Sequence, residues 1–172
     1  MIGAGANGAG ATARLRLEGY RQALRLAGLP LDPALEVPVD TLHRADGAHA
    51  MRRLLELPAP PDAVFCFTDQ LALGALRVAL ERGLDVPGDL AVVGFDDIED
   101  GRYATPSLTT VAPDKVATAR LAVACLAERI EDPGAGPAAR NVVVAHRLEV
   151  RESTVGRAAA AGPGDMPRDP RG

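Results

Sequence analysis

The sequence predicts an α/β domain built on a doubly wound parallel sheet, and two observations carry that prediction. Segments with apolar residues at helical spacing alternate along the chain with short unbroken apolar runs, as in DAVFCF (residues 62–67) and LAVVGF (residues 90–95). Runs that are apolar on both sides of a strand need helices over both faces of a sheet, and strand–helix alternation sets successive strands parallel. No internal repeat suggests a different architecture.

Taken in order, Met1 and Ile2 supply at most the stub of an edge strand. Leu17, Tyr20, Leu24 and Ala27 then fall on one helical stripe, and Gly28 stands where a C′ residue ends a helix, so residues 12 to 27 are expected to be helical. Asp46 is placed to cap a second helix with Ala48, Met51 and Leu55 inward, stopped by the cluster Pro58-Ala59-Pro60-Pro61. DAVFCF follows as a buried-type strand. Thr68 and Asp69 offer a cap for the helix LALGALRVALE, whose Ala72, Leu76, Ala79 and Leu80 share a face before Gly83 closes it. LAVVGF is the next strand, residues 114 to 131 the next helix, and NVVVAHRLEV (residues 141–150) a late strand. From Arg157 onward RAAAAGPGDMPRDPRG has no apolar period and is expected to be a disordered tail (157–172), leaving one domain over residues 1–156.

Composition narrows the function. The 172 residues suffice for one domain with a core, and with 47% hydrophobic but only 3% aromatic residues that core must be built from Leu, Val and Ala. The lack of Trp argues against an aromatic platform for single-stranded nucleic acid. A net charge of −4 with scattered basic residues argues against a grip on a phosphate backbone. Cys66 and Cys125 lie in apolar runs without CxxC spacing, which suggests buried free thiols in a reducing cytoplasm and no metal site. No signal peptide or membrane-length apolar run is present, so a cytoplasmic location without membrane contact is expected.

Gly3-Ala4-Gly5-Ala6-Asn7-Gly8 spells G-x-G-x-x-G, a spacing that can cradle a dinucleotide pyrophosphate where a strand enters and a helix opens. Only two residues precede Gly3, and no acidic residue follows a second strand at the required place; Glu18 comes too early. The plain alternative is a strand-to-helix loop, and no cofactor is assigned.

In open parallel sheets ligands bind beyond the carboxyl ends of the strands, so polar residues just after apolar runs are the first candidates. Thr68 and Asp69 follow DAVFCF, Asp96 and Asp97 follow LAVVGF, and Arg16 comes early in the first helix. A carboxylate accepts paired hydroxyls and an arginine fork donates to several oxygens, which together suit a sugar or similar polyol. Each residue also has a structural alternative. Asp69 fits best as a helix cap, Thr68 is as easily a cap as a contact, and one of Asp96 and Asp97 can fix the loop through an Asx-type bond. Arg16 alone would pass for an exposed helical arginine.

The segments RLEGYRQAL, PDAVFCFTDQLALGAL, LDVPGDLAVVGFDD, PSLTTV and RLEVREST, in this order, resemble the lac repressor and galactose repressor family of bacterial transcription regulators, from about residue 1 to residue 154. The resemblance implies a type I periplasmic-binding-protein-like fold of two subdomains with an effector between them, of which this chain would be mainly the C-terminal one. It implies effector contacts from the arginine of R-x-x-G-Y, here Arg16, from the first aspartate of G-F-D-D, here Asp96, and from the residue before D-Q, here Thr68. The effector class implied is a sugar or related polar metabolite. A hydroxyl at Thr68, where sugar-binding members can carry Asn, leaves the sugar undetermined.

The same resemblance implies a helix-turn-helix, a hinge and most of an N-terminal subdomain that residues 1–172 do not contain, so the chain is expected to be N-terminally truncated, to bind effector weakly, and to touch DNA only through that missing part. The helix 114–131, a crossover in the family, is then expected to leave Val116, Leu121, Val123, Leu126 and Ile130 partly exposed. A homodimer is implied through the LALGALRVAL helix, with Leu71, Leu73 and Leu76, and the loop from Asp100 to Ala104.

Rival functions are weaker. An enzyme is not expected, because His43, His49 and His146 are scattered and none adjoins a nucleophile. A receiver domain would use Asp96, Thr110 and Lys115, but the five positions from Thr110 to Lys115 leave no room for the helix its sheet requires. A stand-alone sugar-binding protein of transport type would need an export signal.

Overall fold

The computed structural model describes residues 1–4, 10–131 and 142–155. Its elements are β1 (Ile2–Ala4), α1 (Ala11–Leu26), a short 3-10 turn (Pro33–Leu35), β2 (Val37–Val39), α2 (Arg44–Leu55), β3 (Ala63–Phe65), α3 (Asp69–Glu81), β4 (Ala91–Phe95), α4 (Glu99–Arg102), β5 (Thr109–Pro113), α5 (Lys115–Glu131), β6 (His146–Glu149) and α6 (Glu152–Val155). The residues of the expected tail, and Gly5 and Gly8 of the glycine motif, lie outside the described residues.

β1 and β2 pair in parallel, and β3, β4 and β5 form a second parallel set with β6 antiparallel at its end. A parallel bridge between Ile2 and Cys66, with Phe67 N donating to Ile2 O at 2.9 Å, joins the two sets edge to edge. The order across the molecule is therefore β2-β1-β3-β4-β5-β6. Right-handed crossovers put α1 on the face opposite α2 and α3. The doubly wound expectation holds, with β6 as the exception: among the described residues of the expected late strand, His146–Glu149 alone pairs, and it runs against β5. β2 and β5 are additional strands that periodicity does not reveal, since β2 is only three residues long with Pro38 on an edge strand, and β5 opens on two threonines and ends on Pro113.

The core lies between the sheet and helices α2 and α3. Ile2, Met51, Leu54, Leu71, Val78 and Val92 are fully or almost fully buried there, each side chain contributing about 1.5–3 kcal/mol relative to exposure. Helices α1 and α5 bury no residue completely. Leu17, Tyr20 and Leu24 are half-buried as their stripe implies, whereas Ala27 is exposed.

Several inward assignments shift by one position. In α2 the buried line is Gly47, Ala50, Met51 and Leu54, with Ala48 and Leu55 only half-buried on its flanks. In α3 Ala72, Leu76 and Ala79 are buried as expected, together with Leu71, Ala75 and Val78, whereas Leu80 falls outside that arc and is 44% exposed. The cap of α2 is His43 and not Asp46, which sits at N3 and accepts from His43 N at 3.3 Å. An acid three residues into a helix serves the same orphan amides from the other side.

Gly3 has a packing reason of its own: a Cβ there would lie 2.4 Å from the Phe67 ring. Steric fit against β3's exit accounts for this glycine without a cofactor.

Candidate functional site

Three elements deliver polar groups to the carboxyl rim of the sheet. Arg16 comes from the second turn of α1, Thr68 from the exit of β3, and Asp96 from the exit of β4. The Arg16 guanidinium donates through Nη1 to Phe67 O at 2.5 Å, lies with Cζ 3.8 Å from the centre of the Phe95 ring, and brings Nη2 to 3.6 Å from Asp96 Oδ1. Residues 80 positions apart in sequence thus meet at one lip. The Arg16 side chain is 17% exposed and that of Asp96 37%, so both can be reached from outside. Among the described residues, Arg16 Nε is buried without a hydrogen-bond partner.

Burial pushes the Asp96 carboxyl above its ordinary range; Arg16 and, more weakly, Lys115 pull it back, while Asp69 pushes the same way as burial. Burial likewise lowers Arg16, with Asp96 only partly offsetting it. Both shifts say that the loss of water outweighs the attraction across 3.6 Å. Such a loose pair keeps donor and acceptor capacity for a third polar group.

Asp96 stands at φ +114° and Asp97 at φ +48°, a sharp corner that side-chain-bearing residues rarely adopt. Its amides are held from three directions: Asp96 N donates to Val111 O (2.9 Å), Asp97 N to Thr110 Oγ1 (3.3 Å) and Ile98 N to Asp69 Oδ2 (2.9 Å). Thr110 in turn donates to Asp69 Oδ1 at 2.6 Å.

Asp69 is therefore not the cap of α3. Thr68 is: its Oγ1 accepts from Leu71 N at 3.3 Å, and it is buried. Asp69, one residue further on, turns inward and laces the β4 exit to β5. Gly94 makes room for it, since a Cβ there would sit 2.1 Å from Asp69 Oδ1.

The two aspartates of the corner divide their work. Asp97, with a side chain only 7% exposed, accepts from Arg102 at 2.6 Å and Arg151 at 2.5 Å, and Arg151 also donates to Leu108 O at 2.9 Å. Burial alone would raise the Asp97 carboxyl, but the two arginines hold it below its usual range. The loop is fixed by arginines and not by the Asx-type bond anticipated from sequence. Asp96 keeps its carboxylate at the rim.

Sequence reasoning missed Phe95, Arg102 and Arg151 as parts of this region. It did single out Thr110 and Lys115, although as pieces of a receiver-like set; here Thr110 bonds Asp69 and Lys115 Nζ donates to Asp97 O at 2.8 Å.

Elsewhere, Leu71 and Leu76 of the expected dimer face are buried in the core. Only Leu73 reaches the outside, where it lines a shallow groove of about 500 Å³ with Arg44, Ala48, Arg77, Asp100 and Ala104. Cys66 is a free, buried thiol pushed up to about 12 by burial, which makes it unreactive, and Cys125 is free and half-buried, less enclosed than its apolar run suggests. No helix among the described residues is long and apolar enough to cross a membrane.

Residues 1–154 match the periplasmic binding protein-like domain. The chain is 42% identical over 125 residues to the HTH-type transcriptional repressor CytR of Escherichia coli (strain K12), covering 73% of this chain and 36% of that protein. A solved structure of a putative transcriptional regulator of LacI family from Sanguibacter keddieii DSM 10542 superposes with a TM-score of 0.84 at 52% identity, over 91% of this chain and 58% of that one. A complex of the transcriptional regulator CelR with cellobiose superposes with a TM-score of 0.79 at 36% identity, over 88% of this chain and 45% of that one. The chain thus spans about a third of the curated repressor's length, in the region of its effector-binding domain. By this match and by its fold, the chain belongs to the periplasmic binding protein-like domain family, in the form that serves LacI-family transcription regulators as their effector-binding domain.

Proposed function

We propose that this chain supplies one wall of the effector site of a transcription regulator, and that Arg16 and Asp96 hold a small polar effector, a sugar or a related metabolite, with Thr68 beside them. The observation that carries this reading is the meeting of Arg16 and Asp96 from separate elements, at 3.6 Å, on a strained corner whose amides, and whose Asp97 carbonyl and carboxylate, are engaged within the fold. Strain of this kind persists where surroundings over-determine it, and it clusters at ligand sites. The cellobiose bound by CelR supports a carbohydrate as the class of effector.

In such a regulator the effector favours one arrangement of the protein over another through a difference in affinity, and DNA binding follows that shift. The chain's net charge of −4 supports assigning DNA contact to another part of the regulator. A cytoplasmic location, no catalytic activity and a homodimer through the groove beside Leu73 belong to the same reading. The transport-type binding protein and the dinucleotide enzyme have no comparable observation in their favour.

Saturation-transfer NMR on the whole chain with a panel of mono- and disaccharides and nucleosides tests it. We expect at least one of them to give a signal that Arg16→Ala and Asp96→Ala each remove. A panel without a binder, or binding indifferent to both substitutions, overturns the assignment.

A further inference from the structure

We propose that Lys115 is a positioning residue for Asp96: it braces the left-handed Asp96–Asp97 corner from outside and ties helix α5 to the candidate site. Lys115 is the first residue of α5, and its Nζ donates to the Asp97 carbonyl at 2.8 Å. The amides of the corner are taken by Val111, Thr110 and Asp69. Lys115 supplies the donor for the carbonyl side of the same corner. The partly buried Asp97 carbonyl needs such a partner, and by holding it Lys115 resists the rotation about Asp97, at φ +48°, that would release Asp96 at φ +114° from its strained setting.

The bond also matters to α5. This helix buries none of its residues, so its first turn is attached through polar contacts: the Lys115 bond, and Asp114 N donating to Ala145 O at 3.0 Å. Any displacement of the start of α5 therefore pulls on the peptide that follows Asp97. The inference rests on the reading of Asp96 as an effector ligand for its consequence, but its geometry can be tested without ligand.

The charged groups facing Asp96 are Arg16 from α1, Asp69 from α3 and Lys115 from α5, while the Asp97 carboxylate faces Arg102 and Arg151. The experiment compares Lys115→Met, which keeps the stem and removes donor and charge, with Lys115→Arg, which keeps both. In the full chain, the Asp96 carboxyl carbon is titrated by NMR, the amide shifts of Asp96, Asp97 and Ile98 are recorded, and hydrogen exchange is measured in the first turn of α5.

We expect Lys115→Met to move the Asp96 titration to higher pH, displace the amide signals of Asp97 and Ile98, and speed exchange at the start of α5 several-fold, with little change in the midpoint of global unfolding. Lys115→Arg should restore the amide signals. Corner signals and an Asp96 titration unchanged in Lys115→Met overturn the proposal, as does a lowered unfolding midpoint with an undisturbed corner, which would make Lys115 a general support. Failure of the sugar panel leaves these signals unaffected, so loss of the effector reading and loss of the positioning role are told apart.

Discussion

Arg16 sits over the Phe95 ring, Cζ 3.8 Å from the ring centre, while one of its nitrogens stands 3.6 Å from the Asp96 carboxylate and another bonds Phe67 O. One side chain thus joins α1 to the exits of β3 and β4. A planar fork over the ring reaches Phe67 O and the Asp96 carboxylate from two separate nitrogens, which the single nitrogen of an ammonium does not. Arg16→Lys is therefore expected to behave much like Arg16→Ala, with a loss of about 1–2 kcal/mol from the carbonyl bond and the stacking together. Urea unfolding measures that loss. An Arg16→Lys chain as stable as the original would mean the stacking contributes nothing.

The neighbouring aspartates should respond to pH in opposite senses. Asp97 is held below its ordinary range in the fold, so its contribution is present above the unfolded value, near 3.9, and is lost as pH falls through the lower folded value. Asp96 is raised, so its charged form is disfavoured by folding; stability rises as pH falls through its folded value toward the unfolded one. Asp97→Asn should cost about 2–4 kcal/mol at neutral pH, since two arginines lose a buried partner, and should flatten the acid limb of the stability curve. Asp96→Asn should leave stability at neutral pH unchanged or slightly higher. Chemical unfolding across an acid-to-neutral series distinguishes them, and equal losses in both variants would contradict the division of labour.

Thr110 holds the corner from below, accepting from Asp97 N and donating to Asp69. Thr110→Val keeps the shape and removes both bonds, leaving the fully buried Asp69 carboxylate with Ile98 N as its remaining donor among the described residues. We expect a cost of about 2–3 kcal/mol, at the upper end for hydrogen bonds to charged groups. Thr110→Ser, which keeps the hydroxyl, should recover most of it. A Val variant within the error of the original would show that these bonds are dispensable.

What the sequence made legible follows from where each signal lives. Buried-strand runs and the α1 and α3 periodicities are local, so the sheet and its helices could be placed from the residues alone. Arg16 and Asp96 were legible as rim residues from strand order, and the resemblance of RLEGY and GFDD singled them out. The network behind them was not: Arg151 meets Asp97 across 54 positions, and nothing local to VREST marks an arginine as internal. β2 and β5 were missed because Val37-Pro38-Val39 and Thr109-Thr110-Val111-Ala112-Pro113 are too short or too polar for a strand period to register. Thr68 and Asp69 are both good capping residues, but Thr68 and not Asp69 caps α3, and the space beside Gly94 lets Asp69 turn inward instead.

Leu71 and Leu73 sit two residues apart on α3 and should give opposite phenotypes. Leu71 is fully buried, so Leu71→Ala is expected to cost about 3 kcal/mol through lost burial and the cavity left behind. Leu73 lines the outer groove, and Leu73→Arg should leave the unfolding midpoint nearly unchanged while shifting any dimer toward monomer in light scattering. A Leu73→Arg chain with unaltered mass would remove the groove as the self-association surface.

Helix α5 presents Val116, Val123, Leu126 and Ile130 at 60–69% exposure, without a fully buried residue to anchor it. Apolar area left in water forgoes about 25 cal/mol per Å², so the helix is held by its cap, in which Asp114 Oδ1 accepts from Ala117 N at 2.8 Å, and by contacts at its start. Its stability should therefore fall away from Asp114 toward Glu131. Hydrogen exchange along α5 is expected to be much faster than in α3 and fastest in its last turns, because opening there exposes little new surface. The same apolar stripe favours association, so Leu126→Glu with Ile130→Lys should reduce the oligomeric fraction at high concentration without lowering the unfolding midpoint of the sheet. Exchange in α5 as slow as in α3 would mean that the helix is buried in solution, and the paired substitution would then be expected to destabilise the domain instead.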